Sequence, residues 1–533
     1  MSAADERGTH DDGQAAGGFT HGGIDRRGFV RTAAAALAAG DALLAGTRPL
    51  SAQQGVDPGT GTAASHTGQT QPFVGIQMGP HTMLDEGIEP CLDLIQETAG
   101  INAVLTYSHA FHADLRKPVR WLAPDHGTPP RENRGPLPAI WVRHHAEYFR
   151  DTRLRPRPTD PAREYADRDL FAELIEPARR RGMKVYARIL ESSGASIEGF
   201  EDVVTIDVYG RPTRVGCWTN PDYRNFWRAV TEDLFRSYEL DGFQWGAERM
   251  GPLMNVILPW NDTPPTCFCP HCVARGRERG IDPDRAREGY EKLYTYVRGL
   301  MAGGPKPADG VAVVFLRHLL RYPEILAWEY QYRLSREEVM KGMYDQIKAV
   351  KPEAQVGWHV DHQPSSWDVV YRAEMSYEEM APWSDFIKFI AYHDVLGPRI
   401  RYWYLERFQR TILSELSLGQ SLDLYYAVFG YDPDVEPSVD ELAAKGFSPD
   451  YVFRETRRSV ASANGKTKIY PGIGFDVPWA SEHIPADPEE VYQATLNAFE
   501  GGGAGIVVSR EYEEMRVPNL RAVGRAVREL ARR

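Results

Sequence analysis

The chain has few cysteines, no excess of positive charge and no long apolar run. Five Cys in 533 residues are too few for a disulfide-stapled scaffold, and 42% hydrophobic residues supply a large core without staples. Lys and Arg total 62 against 74 Asp and Glu, a formal net charge of -12. Nucleic acids and anionic membrane surfaces demand a basic footprint, so neither is expected as a partner. No segment beyond Gly46 reaches the roughly 20 apolar residues that span a bilayer. A phosphate-cradling glycine loop is missing too. Gly501-Gly502-Gly503-Ala504-Gly505 precedes a strand-like run instead of following one, and reads as a helix stop and turn. There is no internal repeat. Aromatic residues, by contrast, are plentiful: 12 Trp, 26 Tyr and 20 Phe, which fill cores and line pockets.

From Phe73 onward, short apolar runs alternate with helix-period stretches. The expected strands are Phe73–Met78, Asn102–Tyr107, Lys184–Ile189, Asp241–Trp245, Gln355–Val360, Phe386–Ile390, Lys468–Ile473 and Gly505–Ser509. Between them, Ile88, Cys91, Leu92 and Ile95 keep the spacing of one buried helix face. Phe226, Val230 and Leu234 do the same, as do Tyr492, Thr495, Leu496 and Phe499. Eight strands, each followed by helix, define an α/β fold of the (β/α)8 TIM-barrel class. A ninth run, Leu422–Phe429, is read as helix; a doubly wound sheet is the alternative. The chain exceeds a minimal barrel of about 250 residues. The excess sits in long loops at 109–169, 247–336 and 394–465. Each follows a strand and so belongs to the C-terminal face, where barrel enzymes build their sites.

Ahead of the body, Asp25-Arg26-Arg27-Gly28-Phe29-Val30-Arg31 leads into an Ala/Leu run from Thr32 to Gly46. This resembles a twin-arginine (Tat) export signal. The expected organisation is a signal region at 1–52, a flexible Gly/Ser/Thr tether at 53–72 and a catalytic barrel at 73–533. The resemblance implies passage through the Tat translocase, in the folded state, to the periplasm or beyond. No Cys precedes Cys91, so no lipid anchor on cysteine is expected.

Three of the five cysteines crowd into Cys267-Phe268-Cys269-Pro270-His271-Cys272. Thiols at this spacing converge readily on one tetrahedral zinc ion, with Cys217 as the fourth ligand and His271 as its substitute. Disulfides and an iron–sulfur cluster remain alternatives. Cys91 lies on an apolar helix face and reads as a buried hydrophobe.

A lone Cys followed by Cys-x-Cys-x-x-Cys just after the fourth strand resembles the zinc site of family-42 β-galactosidases. The likeness covers roughly Cys217 to Cys272; the remainder resembles glycoside-hydrolase-like barrels of exported bacterial proteins. It implies a glycosidase with structural zinc, an acid/base on strand four, a nucleophile on strand seven, and a homo-oligomer, a trimer in that family. Gly242-Phe243-Gln244-Trp245-Gly246-Ala247-Glu248-Arg249 occupies the strand-four place, with Ala247 where the family has Asn.

Glycosidic cleavage needs two carboxyl groups facing one bond, one protonated and one ionised. Acids just past strand ends are therefore the candidates. Glu248 is the expected general acid/base, its pKa raised by Trp245 and Trp260. Asp476 is the expected nucleophile or base, with Glu511 as its competitor. Glu191, Trp245, Arg249, His359, Asp361, His362, His393, Trp479 and Arg510 are the expected carbohydrate-binding residues. A metal-dependent sugar isomerase, epimerase or lyase using His359, Asp361, His362 and Glu191 is the second reading. A non-catalytic carbohydrate-binding barrel is the third.

Overall fold

A computed structural model describes residues 72–110, 124–128, 137–191, 194–259, 263–479, 482–483 and 485–533. The export segment and nearly all of the tether lie outside these residues.

Eight parallel strands close into a barrel: β1 Phe73–Met78, β2 Ala103–His109, β3 Lys184–Leu190, β4 Gly242–Gly246, β5 Gln355–Val360, β6 Phe386–Ile390, β7 Lys468–Gly474 and β8 Gly505–Ser509. They follow one another round the barrel in chain order, and β8 pairs with β1 at Val74↔Ile506, which excludes the doubly wound alternative. All eight coincide with the expected runs to within about two residues at either end. The run 422–429 is helical, within Leu418–Phe429, and is started by a capping box of Ser417 and Gln420.

Side chains alternate between the barrel interior and the helix layer, with period two. The outward set (Val74, Val104, Val185, Phe243, Trp358, Ile387, Ile506) joins the main core beneath the helices. Those helices bury the faces their periodicity marks. Cys91, Leu92 and Ile95 are buried on Ile88–Ala99, and Phe226, Val230 and Leu234 on Pro221–Ser237. On Pro488–Glu500, Thr495 and Leu496 are buried, and Tyr492 and Phe499 pack against the core half-buried. No helix among the described residues is long and apolar enough to cross a membrane.

The inward set changes character along the barrel axis. Towards the N-terminal end it is an aromatic plug. Phe73 stacks on Tyr470 with centroids 4.4 Å apart, and Phe386 lies 5.1 Å from Tyr470 and 6.0 Å from Tyr186. Towards the C-terminal end it turns polar: Gln77, Tyr107, Arg188, Gln244, His359, Lys388 and Ser509 all lie buried. A sealed apolar floor thus supports a charged layer at the mouth, where burial makes each charge sensitive to its neighbours.

Candidate functional site

Inward positions just past the strand ends deliver three acids to the mouth: Glu248, two residues after β4, Asp361, one residue after β5, and Glu511, two residues after β8. Glu248 is the acid best supported from below. His359 Nε2 lies 3.1 Å from its Oε1, and Lys388 Nζ lies 3.3 Å from His359 Nδ1. Gly472 on β7 makes room for that lysine, since a Cβ there would sit 2.8 Å from Nζ. An ionised Glu248 only accepts, so Nε2 carries the imidazole proton. Nδ1 then accepts from the Lys388 amine. The Glu248 side chain keeps 30% exposure while His359 beneath it keeps 2%. On the other side of the mouth, Arg188 NH1 and Tyr107 OH both donate to Glu511 Oε1, at 2.8 and 3.0 Å, and Arg188 stacks on Tyr107 at 4.2 Å.

These surroundings separate the acids by proton affinity. Burial alone would raise Glu248, but the hydrogen bond from His359 and the positive charges of Arg188 and Arg399 outweigh it and hold the carboxyl down to about 2. Burial and the Lys388 charge pull His359 to about 4, so its ring is neutral. Burial and the nearby Glu248 charge push Asp361 up to about 7. Glu511 is raised by burial against the pull of Arg188. Burial and Arg188 drive Lys388 well below the ordinary lysine range. The expected raising of Glu248 by tryptophan is therefore corrected. Trp245 belongs to the outward set, 1% exposed and edge-on to Trp358 at 6.5 Å, and Trp260 lies outside the described residues. Trp245 is for the same reason a core residue and not a sugar platform.

Asp476 is not placed for attack. It is fully buried, with φ +56°, and accepts from the backbone N–H of Ala486 (3.2 Å) and of Arg516 (2.9 Å), from Arg516 Nε (3.1 Å) and from Asn519 Nδ2 (2.8 Å). Its carboxylate staples the β7 and β8 loops together. Asp476→Ala should cost roughly 3 kcal/mol or more, because several buried donors lose their acceptor at once. Thermal unfolding checks it; an unchanged Tm would refute the staple.

Other expected ligand-binding residues are also committed elsewhere. Glu191 accepts from Trp218 Nε1 (2.8 Å) and Tyr223 OH, and pairs with Arg249 Nε at 3.0 Å. Arg249 stacks on Trp218 at 3.7 Å and donates to Gly216 O at 2.8 Å. His362 bridges Arg399 NH1 (2.9 Å) and Tyr451 OH (3.1 Å). His393 is fully buried with neither ring nitrogen hydrogen-bonded, and burial pulls it to about 4. Arg510 Nε meets both Glu514 oxygens, at 2.9 and 3.0 Å. The Trp479 side chain lies outside the described residues. The cluster of His359, Asp361, His362 and Glu191 does not converge as a metal centre, because the donors turn to the separate partners just named. Among the described residues, only the cysteines gather three or more such ligand atoms.

Arg188 and Lys388 escaped the sequence reading, yet each leaves a signal there. Both are charges in the middle of otherwise apolar strands, Val185-Tyr186-Ala187-Arg188-Ile189-Leu190 and Phe386-Ile387-Lys388-Phe389-Ile390. Charge at an inward position of a barrel strand marks the mouth.

Beside β4, Cys217, Cys267, Cys269 and Cys272 are all buried, and their sulfurs lie within 4.8 Å of one another. Cys217 Sγ lies 3.5 Å from Cys269 and Cys272 and 3.8 Å from Cys267. A tetrahedron with 2.3 Å metal–sulfur bonds has edges of about 3.8 Å. All five cysteines are unpaired, and His271 is exposed on the helix Pro270–Glu278, so neither the disulfide nor the His271 alternative holds. Backbone N–H groups of Ile206 and Cys269 point at Cys267 Sγ at 3.4 Å, and that of Cys272 at Cys269 Sγ at 3.5 Å, donors that would support metal-bound thiolates. The four can bind a metal ion.

No protein-family model and no characterised protein sequence matches the chain. Among solved structures, a β-galactosidase from the psychrophilic Marinomonas ef1 aligns at 11% identity and TM-score 0.46, over 86% of this chain and 59% of its own. The glycoside hydrolase domain of PgaB (BpsB) from Bordetella bronchiseptica aligns at 12% and 0.45, over 86% of this chain and 99% of its own. A catalytic mutant of a GH42 β-galactosidase from G. stearothermophilus aligns at 12% and 0.45, over 87% and 57%. The chain spans less than two thirds of the length of both β-galactosidases. Identities this low carry no residue-to-residue correspondence, so the chemistry rests on the geometry above.

Proposed function

We propose that the protein is a glycoside hydrolase whose reacting carboxyls are Glu248 and Asp361. One observation carries the reading: two acids at the ends of adjacent strands share a mouth in unlike surroundings, Glu248 lowered by the His359 N–H 3.1 Å away and by the charges of Arg188 and Arg399, Asp361 raised by burial and by the Glu248 charge. Such a separation assigns the roles of general acid and of nucleophile or base. Glu248, ionised, attacks the anomeric carbon or activates water for that attack. Asp361, protonated near neutrality, hands its proton to the leaving oxygen. The neutral His359, turned by Lys388, holds Glu248 in place with one N–H. This reverses the role expected of Glu248 and moves the second carboxyl from Asp476 to Asp361. Glu511, clamped by Arg188 and Tyr107, is a positioning group for sugar hydroxyls.

The twin-arginine segment supports export as the natural setting, with the Tat translocase as a transient partner. The sulfur spacing supports structural zinc, held by Cys217, Cys267, Cys269 and Cys272; bound there, the ion supplies a cross-link between loops.

Turnover of a panel of aryl glycosides, neutral and acidic, by the purified full chain tests the proposal. Release of the aryl group from at least one member, lost in Glu248→Gln, is the expected result. Release by no member, or release indifferent to Glu248, would sink it.

A further inference from the structure

The mouth holds a cation with no ionised partner. Arg399 follows β6 on the short helix Leu396–Arg399 and is 6% exposed. Its backbone is fixed by close packing, since a Cβ on Gly397 would run into the carbonyl oxygen of Lys445. Three contacts hold the guanidinium. NH1 meets the neutral His362 at Nδ1, 2.9 Å away, and the plane lies over Trp403 at 4.8 Å and Tyr392 at 5.5 Å. Its Nε is buried without a hydrogen-bond partner. Among the described residues no carboxylate comes within the 4.0 Å of an ion pair.

The nearest acids do not supply the missing charge. Asp361 is pushed up to about 7, and burial pushes Asp394 up to about 8, so both lean towards the neutral form. Arg510 adds like charge, and burial with that repulsion lowers Arg399 itself. A buried guanidinium facing a neutral imidazole and two aromatic rings is costly to maintain unless something anionic completes it. Arg399 is tied to the mouth by contact: Tyr392 beneath it meets Lys388 Nζ through its hydroxyl at 3.4 Å, Lys388 meets His359 under Glu248, and His362, which holds NH1, directly follows Asp361 in the chain.

We propose that Arg399 receives an anionic group of the substrate, a carboxylate such as a uronic acid carries. The carboxylate fits because the Nε edge of a guanidinium matches it as a planar fork. The inference deepens the glycosidase reading: the sugar beside Glu248 and Asp361 is an acidic one.

Calorimetry and turnover on the full chain test it together. The binding probes are sodium glucuronate and galacturonate, against glucose, galactose, inorganic sulfate and inorganic phosphate. The turnover probes are the aryl glycosides of the same four sugars. Uronates should bind at least about tenfold more tightly than their neutral counterparts, the scale of one charge-assisted hydrogen bond. Arg399→Gln should erase that preference, and Arg399→Lys should restore only part of it. A Tm within a few degrees of the parent shows that the variant is folded; the one hydrogen-bond partner it loses is His362 Nδ1. Equal binding of neutral and acidic sugars, or a preference that survives Arg399→Gln, overturns the inference. Sulfate or phosphate binding as tightly as uronate overturns the carboxylate assignment. Turnover of neutral aryl glycosides alone overturns it while the glycosidase reading stands. Arg399-dependent uronate binding with no turnover of any member supports it while the glycosidase reading falls.

Discussion

On its best aryl glycoside, kcat/KM should stay level from acid pH to near 7 and then fall tenfold per pH unit. The sign follows from the two carboxyls. Glu248 must be ionised, and with its pKa held at about 2 it is ionised throughout the working range. Asp361 must be protonated, and with its pKa pushed to about 7 it loses its proton as the pH rises past that value. Asp361→Asn should abolish the descending limb and lower turnover by about 10²–10⁴-fold on substrates with poor leaving groups. Dinitrophenyl glycosides should lose far less, because their leaving oxygen needs no proton. Glu248→Ala should lose activity on every leaving group, and added azide should restore part of it by replacing the carboxylate. A descending limb that persists in Asp361→Asn, or a leaving-group dependence that belongs to Glu248, would return Glu248 to the role of acid. The profile is sensitive because His359 and Lys388 sit in the same line of hydrogen bonds, at 3.1 and 3.3 Å. Glu248 is kept low by the hydrogen bond from His359 and by the charges of Arg188 and Arg399, so a change either in that line of hydrogen bonds or in the charge around the mouth shifts its proton affinity.

The barrel was legible because its strands are buried on both faces, so each reads as an apolar run between turn signals, and helical period separates them. Leu422–Phe429 shows the limit of that signal. A run of eight apolar and polar residues fits either class, and only Ser417 and Gln420, as a helix-starting pair, decide it locally. The site was legible in part. Position past a strand end found Glu248, Asp361 and Glu511, but it also nominated Asp476 and Glu191. Those two carry the same residue types at the same kind of place; their donors come from Asn519 and Arg516 in one case and from Trp218 and Arg249 in the other. Such partners lie 27 to 58 residues away in sequence, and no local pattern names them. Strand parity would have removed Glu191, which has the parity opposite to Arg188, though not Asp476, which keeps the inward parity of Tyr470 and Gly472. It separates Trp245, which faces the helices, from Gln244, which faces the mouth, one residue away.

Replacing Cys269 by Ser should release the metal and cost more stability than any single change at the mouth. Four thiols within 4.8 Å of one another cannot all ionise without a dication between them, and metal binding to such a site is itself folding free energy, roughly 10 kcal/mol for structural zinc. The helix Pro270–Glu278 begins at this cluster, with Cys269 as its cap, and Phe268 stacks on Trp328 at 5.1 Å. Loss of the ion should therefore loosen the helix and its seat on Glu324–Val350. Elemental analysis of the parent should give one zinc per chain, and cobalt exchanged into the site should show the strong visible absorption of tetrahedral thiolate coordination. The effect should also reach the mouth by a traceable route. Cys217 follows Gly216, whose carbonyl accepts from Arg249 at 2.8 Å, and Arg249 follows Glu248 while pairing with Glu191 at the end of β3. Cys269→Ser should lower kcat without moving the basic limb near pH 7, since Asp361 keeps its surroundings. A protein that holds no metal and keeps its Tm in Cys269→Ser would show that four buried thiols alone stabilise this loop. A limb that shifts with the metal would mean that the ion's charge, and not the Arg249 strap, couples the two sites.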